Sequence, residues 1–208
     1  MFYREAGQFK TSYKADQAVF PIFQDRIFVA IWLFIGFVAV PMLANEYMFR
    51  AIFIPVIIMA LAAIGLNLLV GYCGQVSLGS GAFMAVGAYA AYNFMIRVPE
   101  LNPLICFLLG GLSATAVGVI FGIPSLRIKG FYLAVATLAL QFFTDWTFSR
   151  IDWFTNYTPS GSIAVQPVEV WGFTFDSPLR KYMLCLSALV LFTIIGKNLV
   201  RGRIGRAW

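Results

Sequence analysis

The residues best suited to chemistry lie in one glycine-rich stretch, residues 65–81. Each glycine inside a helix costs about 1 kcal/mol relative to alanine, so recurring glycines predict an interrupted helix. Interrupted backbone at membrane depth is tolerated where it is buried in protein or lines a cavity, and transporters use such breaks to present backbone groups to a substrate. We therefore expect a partly non-helical segment within 71–81 that lines a pathway. The candidate residues are Asn67, Gly71, Gly74, Gln75, Ser77, Gly79, Ser80 and Gly81.

A tight turn that uses its glycines for close packing is the alternative interpretation of these residues. Valine does not readily adopt a positive φ. On that ground we expect Gly74→Val or Gly79→Val to abolish function, because both glycines would need positive φ.

Residue types elsewhere exclude most enzyme chemistry. The chain has no histidine, so it cannot form a Ser–His or Cys–His nucleophile pair. Cys73, Cys106 and Cys185 lie in or beside apolar runs and lack the spacing of metal ligands. The sequence contains no Gly-x-x-x-x-Gly-Lys-Ser/Thr phosphate loop, so any ATP chemistry would be on another chain. No catalytic residue, metal or cofactor is predicted.

The elements that must position the glycine-rich stretch are long apolar segments. Hydrophobic residues make up 61% of the 208 positions and charged residues only 12%, against about a quarter charged in soluble domains. The charges lie between uncharged runs, so no nucleic-acid partner is expected. Six continuous runs approach the roughly 20 residues that a bilayer requires, which predicts an all-α integral membrane protein in a lipid bilayer. They are Ile27–Leu43, Ala51–Val70, Ser77–Ile96, Pro103–Ile123, Phe131–Phe148 and Tyr182–Val200.

Charge predicts the orientation of these six segments. If residues 1–26 are cytoplasmic, the inner stretches, together with Lys197 near the inner end of the last segment, hold ten basic and three acidic residues, whereas the outer stretches hold five of each. This distribution satisfies the positive-inside rule. We therefore expect a cytoplasmic segment 1–26 and a transmembrane region 27–208. Asp145 is the one acidic residue within an apolar segment, and we expect it to reach the outer interface near Arg150.

Two further patterns concern packing and the outer surface. Ser77, Gly81 and Ala85 form a small-residue row, as do the small residues spaced by four from Gly110 to Gly122, and such rows predict closely packed helices. The outer loop 149–181 is rich in aromatic residues. They indicate an interfacial belt, with a docking surface for an external partner as the alternative.

Residues 60–89 resemble the signature of bacterial ABC permeases for branched-chain amino acids, most closely the second permease of the high-affinity system; urea permeases are close relatives of that family. Residues 124–138, 158–162 and 202–208 fit the same pattern. The resemblance covers roughly residues 27–208. It departs from the family in a reduced Gly-rich loop at 158–162 and in ending at Trp208, so we expect a C-terminally incomplete permease or a remainder on another chain.

The resemblance implies a subunit of an ABC importer in the bacterial inner membrane. The expected partners are a second homologous permease chain, two cytoplasmic ABC ATPase subunits and a periplasmic substrate-binding protein. Leucine, isoleucine and valine are the expected substrates. Urea, short amides or other amino acids remain alternatives, as does a structural membrane subunit that transports nothing.

Overall fold

The computed structural model describes residues 23–125, 131–158, 163, 169–170, 173–202 and 205. Six helices and one two-stranded antiparallel hairpin make up most of these ranges, and the helices lie where the six apolar segments predict them. The all-α prediction is confirmed, apart from this hairpin of β1 (Glu169–Val170) and β2 (Phe173–Thr174). The helices are α1 (Phe23–Leu43), α2 (Glu46–Tyr72), α3 (Ser80–Arg97), α4 (Pro103–Ser125), α5 (Phe131–Arg150) and α6 (Pro178–Arg201).

Four of these helices, α1, α2, α4 and α6, are long and apolar enough to cross a bilayer by length and composition alone. Almost none of the apolar side chains of these four helices are buried by other parts of the chain. Trp32 of α1, for example, is 60% exposed. Soluble proteins rarely expose continuous apolar surface of this extent. The chain is therefore a multi-pass membrane protein. α3 and α5 are more polar, since they include Asn93, Gln141 and Asp145, and α3 packs against both α4 and α5.

Proline explains two irregular turns in the first two helices. α1 contains a π-helical turn at Ile35–Ala39 and α2 contains one at Phe49–Phe53, and each ends two residues before a proline, Pro41 or Pro55. A proline ring clashes with the carbonyl four residues earlier and removes one hydrogen bond. The wider turn accommodates the ring, so both helices continue past their prolines.

α1, α2 and α6 form one packed group around Tyr182. The Tyr182 side chain is 2% exposed, and its hydroxyl donates a hydrogen bond to the carbonyl oxygen of Gly36 at 2.9 Å. Its ring lies 5.2 Å from that of Phe49 and 5.9 Å from that of Phe53, measured between centroids. Further along, Gly196 of α6 faces the later part of α2. α2 and α6 are therefore parallel, with α1 crossing them in the opposite direction.

α3, α4 and α5 form the second group. A methyl group added at Gly110 of α4 would lie 2.6 Å from the carbonyl oxygen of Gly87 in α3, closer than any ordinary contact. Gly110, Ala114 and Gly118 of that row thus let α3 and α4 approach closely, as predicted from their spacing, whereas Gly122 has no atom of another element within 4 Å of an added methyl group. Tyr89 of α3 stacks on Phe148 of α5 at 4.2 Å between ring centroids. In both groups, odd-numbered helices run in the opposite direction to even-numbered ones, as successive membrane crossings do.

Candidate functional site

The predicted interruption lies between Tyr72, the last residue of α2, and Ser80, the first of α3. α2 ends in a third π-helical turn, Leu68–Tyr72, and the Gln75 N–H then donates to the Leu69 carbonyl at 3.1 Å. Gly74 adopts φ +66°, the left-handed conformation that commonly ends helices at glycine. The expectation of positive φ is therefore confirmed at Gly74.

The second half of the break packs against α5. The Leu78 N–H donates to the hydroxyl of Thr137 at 3.0 Å, and that hydroxyl donates to the Ala134 carbonyl at 2.9 Å. Gly79 is buried, and a methyl group added there would lie 2.6 Å from the carbonyl oxygen of Thr137. Backbone therefore meets backbone at this point, which only glycine permits.

Gly79 corrects two expectations from the sequence. Its φ is −101°, so its role is close approach to α5 and not a left-handed turn. The predicted helix start at Ser77 is also wrong, because Ser77 is still in the break and α3 begins at Ser80. The Ser77 side chain is buried, and its hydroxyl oxygen accepts a hydrogen bond from the Gly79 N–H at 3.4 Å.

The eight candidate residues divide into two sets. One set surrounds the contact with α5: buried Gly79 and half-buried Gly81 meet Thr137 and Gln141, and buried Ser77 and half-buried Gln75 and Ser80 are their neighbours in sequence. The other set lies at the end of α2, where all three members are exposed. There a methyl group added at Gly71 would lie 2.7 Å from Oδ1 of Asn67, and Gly74 faces open space. A role of all eight in a pathway stays a prediction.

A polar face of α5 opposite the break was missed by the sequence reasoning. Thr137, Gln141 and Thr144 recur at helical spacing, and Thr144 is buried. The Gln141 side chain lies over Gly81, whose added methyl group would be 2.9 Å from Oε1. Within the described residues this buried oxygen has no hydrogen-bond partner. An unpaired buried amide oxygen is costly, so Gln141 marks a point where a polar ligand group would be stabilised.

Asp145 lies next to Thr144 in sequence but on another face of α5, and its side chain is exposed. No ion pair between Asp145 and Arg150 is present in the described part of α5. Across the described ranges, no group of three histidine, cysteine, aspartate or glutamate side chains lies close enough to hold a metal ion.

A family profile described as branched-chain amino acid transport system / permease component matches residues 48–208, most of the chain. The chain belongs to this permease family. Two relatives are the high-affinity branched-chain amino acid transport system permease protein LivM of Escherichia coli strain K12 and that of Salmonella typhimurium strain LT2. Each is 28% identical over 172 residues, which cover 70% of this chain and 39% of the relative.

The permease chain described here spans about two fifths of the length of those curated relatives. No solved structure matches it. The family match includes the break and all of α5, so the contacts between Gly79 and Thr137 lie within the region that defines membership.

Some sequence expectations concern residues outside the described ranges. They are the cytoplasmic segment up to residue 22, the basic loop 126–130, the Gly-rich loop at 159–162, the aromatic Trp171, and the basic run after Gly202 other than Gly205. These expectations stay predictions.

Proposed function

We propose that this chain is the membrane-spanning permease subunit of an ABC importer that moves leucine, isoleucine and valine across the bacterial inner membrane. Its membership of the branched-chain amino acid permease family is the observation that carries the proposal. In this proposal ATP hydrolysis takes place on two partner ATPases, a second permease completes the membrane unit, and a periplasmic binding protein delivers the substrate. The N-terminus is cytoplasmic, as the distribution of basic residues favours.

The break and α5 supply groups that suit a zwitterionic amino acid. The N-terminal end of a helix carries a partial positive charge, and α3 begins within the protein at Ser80. Transporters place such half-helix ends against anionic substrate groups. The unpaired Oε1 of Gln141 is an acceptor on the facing helix and suits an ammonium or N–H group. We propose that the substrate passes between these groups as the break and α5 separate.

Reconstituted uptake tests this function. The complete transporter, with and without this chain, is placed in vesicles with ATP at the ATPase side, and entry of labelled leucine is followed. We expect saturable, ATP-dependent uptake only when the chain is present, with competition by isoleucine and valine but not by urea. Uptake of urea or a short amide in place of leucine would contradict the proposed substrate, and leucine uptake that is unchanged without the chain would indicate a structural subunit.

A further inference from the structure

A second candidate site lies at the opposite end of α3 from the break. α3, α4, the end of α5 and the turn that follows it surround a cavity of about 460 Å³. Its walls are mainly apolar, with Val86, Ala90 and Phe94 from α3, Phe148 from α5 and Phe154 from the turn. Small-molecule sites are typically cavities of about 300–1,000 Å³ with apolar walls and a few polar groups that fix orientation. This cavity has both properties.

The cationic group at this cavity is Arg97. Its Nε donates to Oδ1 of Asn93 at 3.1 Å and its Nη2 donates to the Trp153 carbonyl at 3.2 Å. The guanidinium also lies 4.0 Å from the centroid of the Trp153 ring. A guanidinium has five N–H donors, so these two bonds leave donors available for a ligand. No carboxylate among the described residues forms an ion pair with Arg97.

The groups that hold Arg97 are themselves fixed. Asn93 is buried, and its amide nitrogen donates to the carbonyls of Tyr89 at 2.9 Å and Phe154 at 3.1 Å. The ring of Phe154 packs edge-to-face on Phe148 at 4.8 Å and on Trp153 at 5.1 Å. The guanidinium is thus held at the cavity before any ligand arrives, which lowers the entropic cost of binding.

We propose that this cavity binds a small carboxylate with a branched aliphatic body, the substrate class that follows if the proposed function holds. The Arg97 guanidinium would accept the carboxylate in paired hydrogen bonds, for which arginine is better suited than lysine. The aliphatic body would pack on the aromatic and α3 walls. Urea and short amides carry no anionic group, so the same site discriminates against them. In the proposed orientation the cavity faces outwards and is a first binding point ahead of the break.

The test is equilibrium binding to the purified transporter complex in detergent, without ATP and without the binding protein. Labelled leucine is the probe, and its competitors are 4-methylpentanoate, which lacks the ammonium group, and 3-methylbutylamine, which lacks the carboxylate. We expect 4-methylpentanoate to compete and 3-methylbutylamine not to compete. Arg97→Gln should weaken leucine binding about tenfold or more, because it removes a charge-assisted hydrogen bond, whereas Arg97→Lys should retain part of the affinity.

Matched variants separate binding from folding. Arg50→Gln removes an exposed arginine that pairs with Glu46 at 2.9 Å, and it should leave binding unchanged. Ala90→Leu fills the cavity and should prevent binding, whereas Ala88→Leu, two residues away at an exposed position, should not. Each variant is compared with the original chain for its thermal midpoint.

Several outcomes would overturn the proposal. They are leucine binding that Arg97→Gln and Ala90→Leu both leave intact, no leucine binding by the unmodified complex, and a co-purified lipid that occupies the cavity and is not displaced by leucine. If any of these occurs while the complex still imports leucine, only this site is wrong. If the complex imports urea in place of leucine, the proposed function itself is wrong.

Discussion

Gly79→Ala is the perturbation whose consequence the structure defines most closely. The added methyl group would lie 2.6 Å from the Thr137 carbonyl oxygen, and ordinary contact begins at 3.4 Å, so the break and α5 must separate by about 0.8 Å. The next nearest atoms are the carbonyl carbon and Cβ of the same threonine, at 3.3 and 3.4 Å. None of these atoms is the end of a flexible side chain, so none can move aside without a shift of the α5 backbone. The backbone at φ −101° is open to alanine, so close approach alone causes the cost.

The size of the effect follows from two terms. Overpacking of this kind costs about 1–3 kcal/mol. Separation also stretches the hydrogen bond from Leu78 N–H to the Thr137 hydroxyl, now 3.0 Å, which is worth about 0.5–1.5 kcal/mol. We therefore expect Gly79→Ala to lower the free energy of unfolding by about 1.5–4.5 kcal/mol and to lower leucine uptake.

Thermal or denaturant unfolding of the purified protein in detergent measures this loss. The matched control is Gly65→Ala in α2, where no atom lies within 4 Å of the added methyl group. Alanine is the better helix former by about 1 kcal/mol, so this control should be as stable as the original chain or slightly more stable. Equal stability of Gly79→Ala and Gly65→Ala would refute the reasoning.

Three further outcomes are expected. Gly110→Ala should lower the free energy of unfolding by about 1–3 kcal/mol, because the added methyl group forces α3 and α4 apart. Gly111→Ala, which has no atom within 4 Å of the added methyl group, should not lower it. Equal loss of stability in the two variants would contradict the close contact between α3 and α4. Asp145→Asn should leave leucine uptake nearly unchanged, because the carboxylate is exposed, and loss of most uptake would place Asp145 in the pathway. An impermeant thiol reagent outside intact cells should label a cysteine at Ser177 and not one at Gln24, and the reverse pattern would invert the orientation.

Much of the fold could be predicted because hydropathy and glycine act locally. Uninterrupted apolar runs located all six helices, and the glycines of residues 65–81 located the break. The helix start at Ser80 could not be predicted in this way. Ser77 is held by a hydrogen bond to Gly79 within the break, and Leu78 is held by one to Thr137, which lies 59 residues later in the chain. Helix propensity alone contains no term for such contacts.

The candidate sites were less predictable because their chemistry comes from residues distant in sequence. In the sequence Gln141 is only one of several polar residues of α5, and its distinct position follows from the contact with Gly81 of α3. In the sequence Arg97 is only one of the five basic residues of the outer stretches, yet it contacts Trp153 across 56 positions. The polar spacing of Thr137, Gln141 and Thr144 was a visible signal in the sequence, since three polar residues on one face of a membrane helix indicate a buried partner.

The most direct test of the central claim uses a cysteine at Ser80 in a chain where Cys73 and Cys185 are serine; Cys106 is fully buried and can remain. The complete transporter is treated with a small thiol reagent, and both the modification rate and the subsequent leucine uptake are measured. If the substrate passes between the break and α5, modification will stop uptake and leucine will slow the modification. Modification that proceeds at the same rate with leucine and leaves uptake intact would contradict the claim that this break lines the pathway.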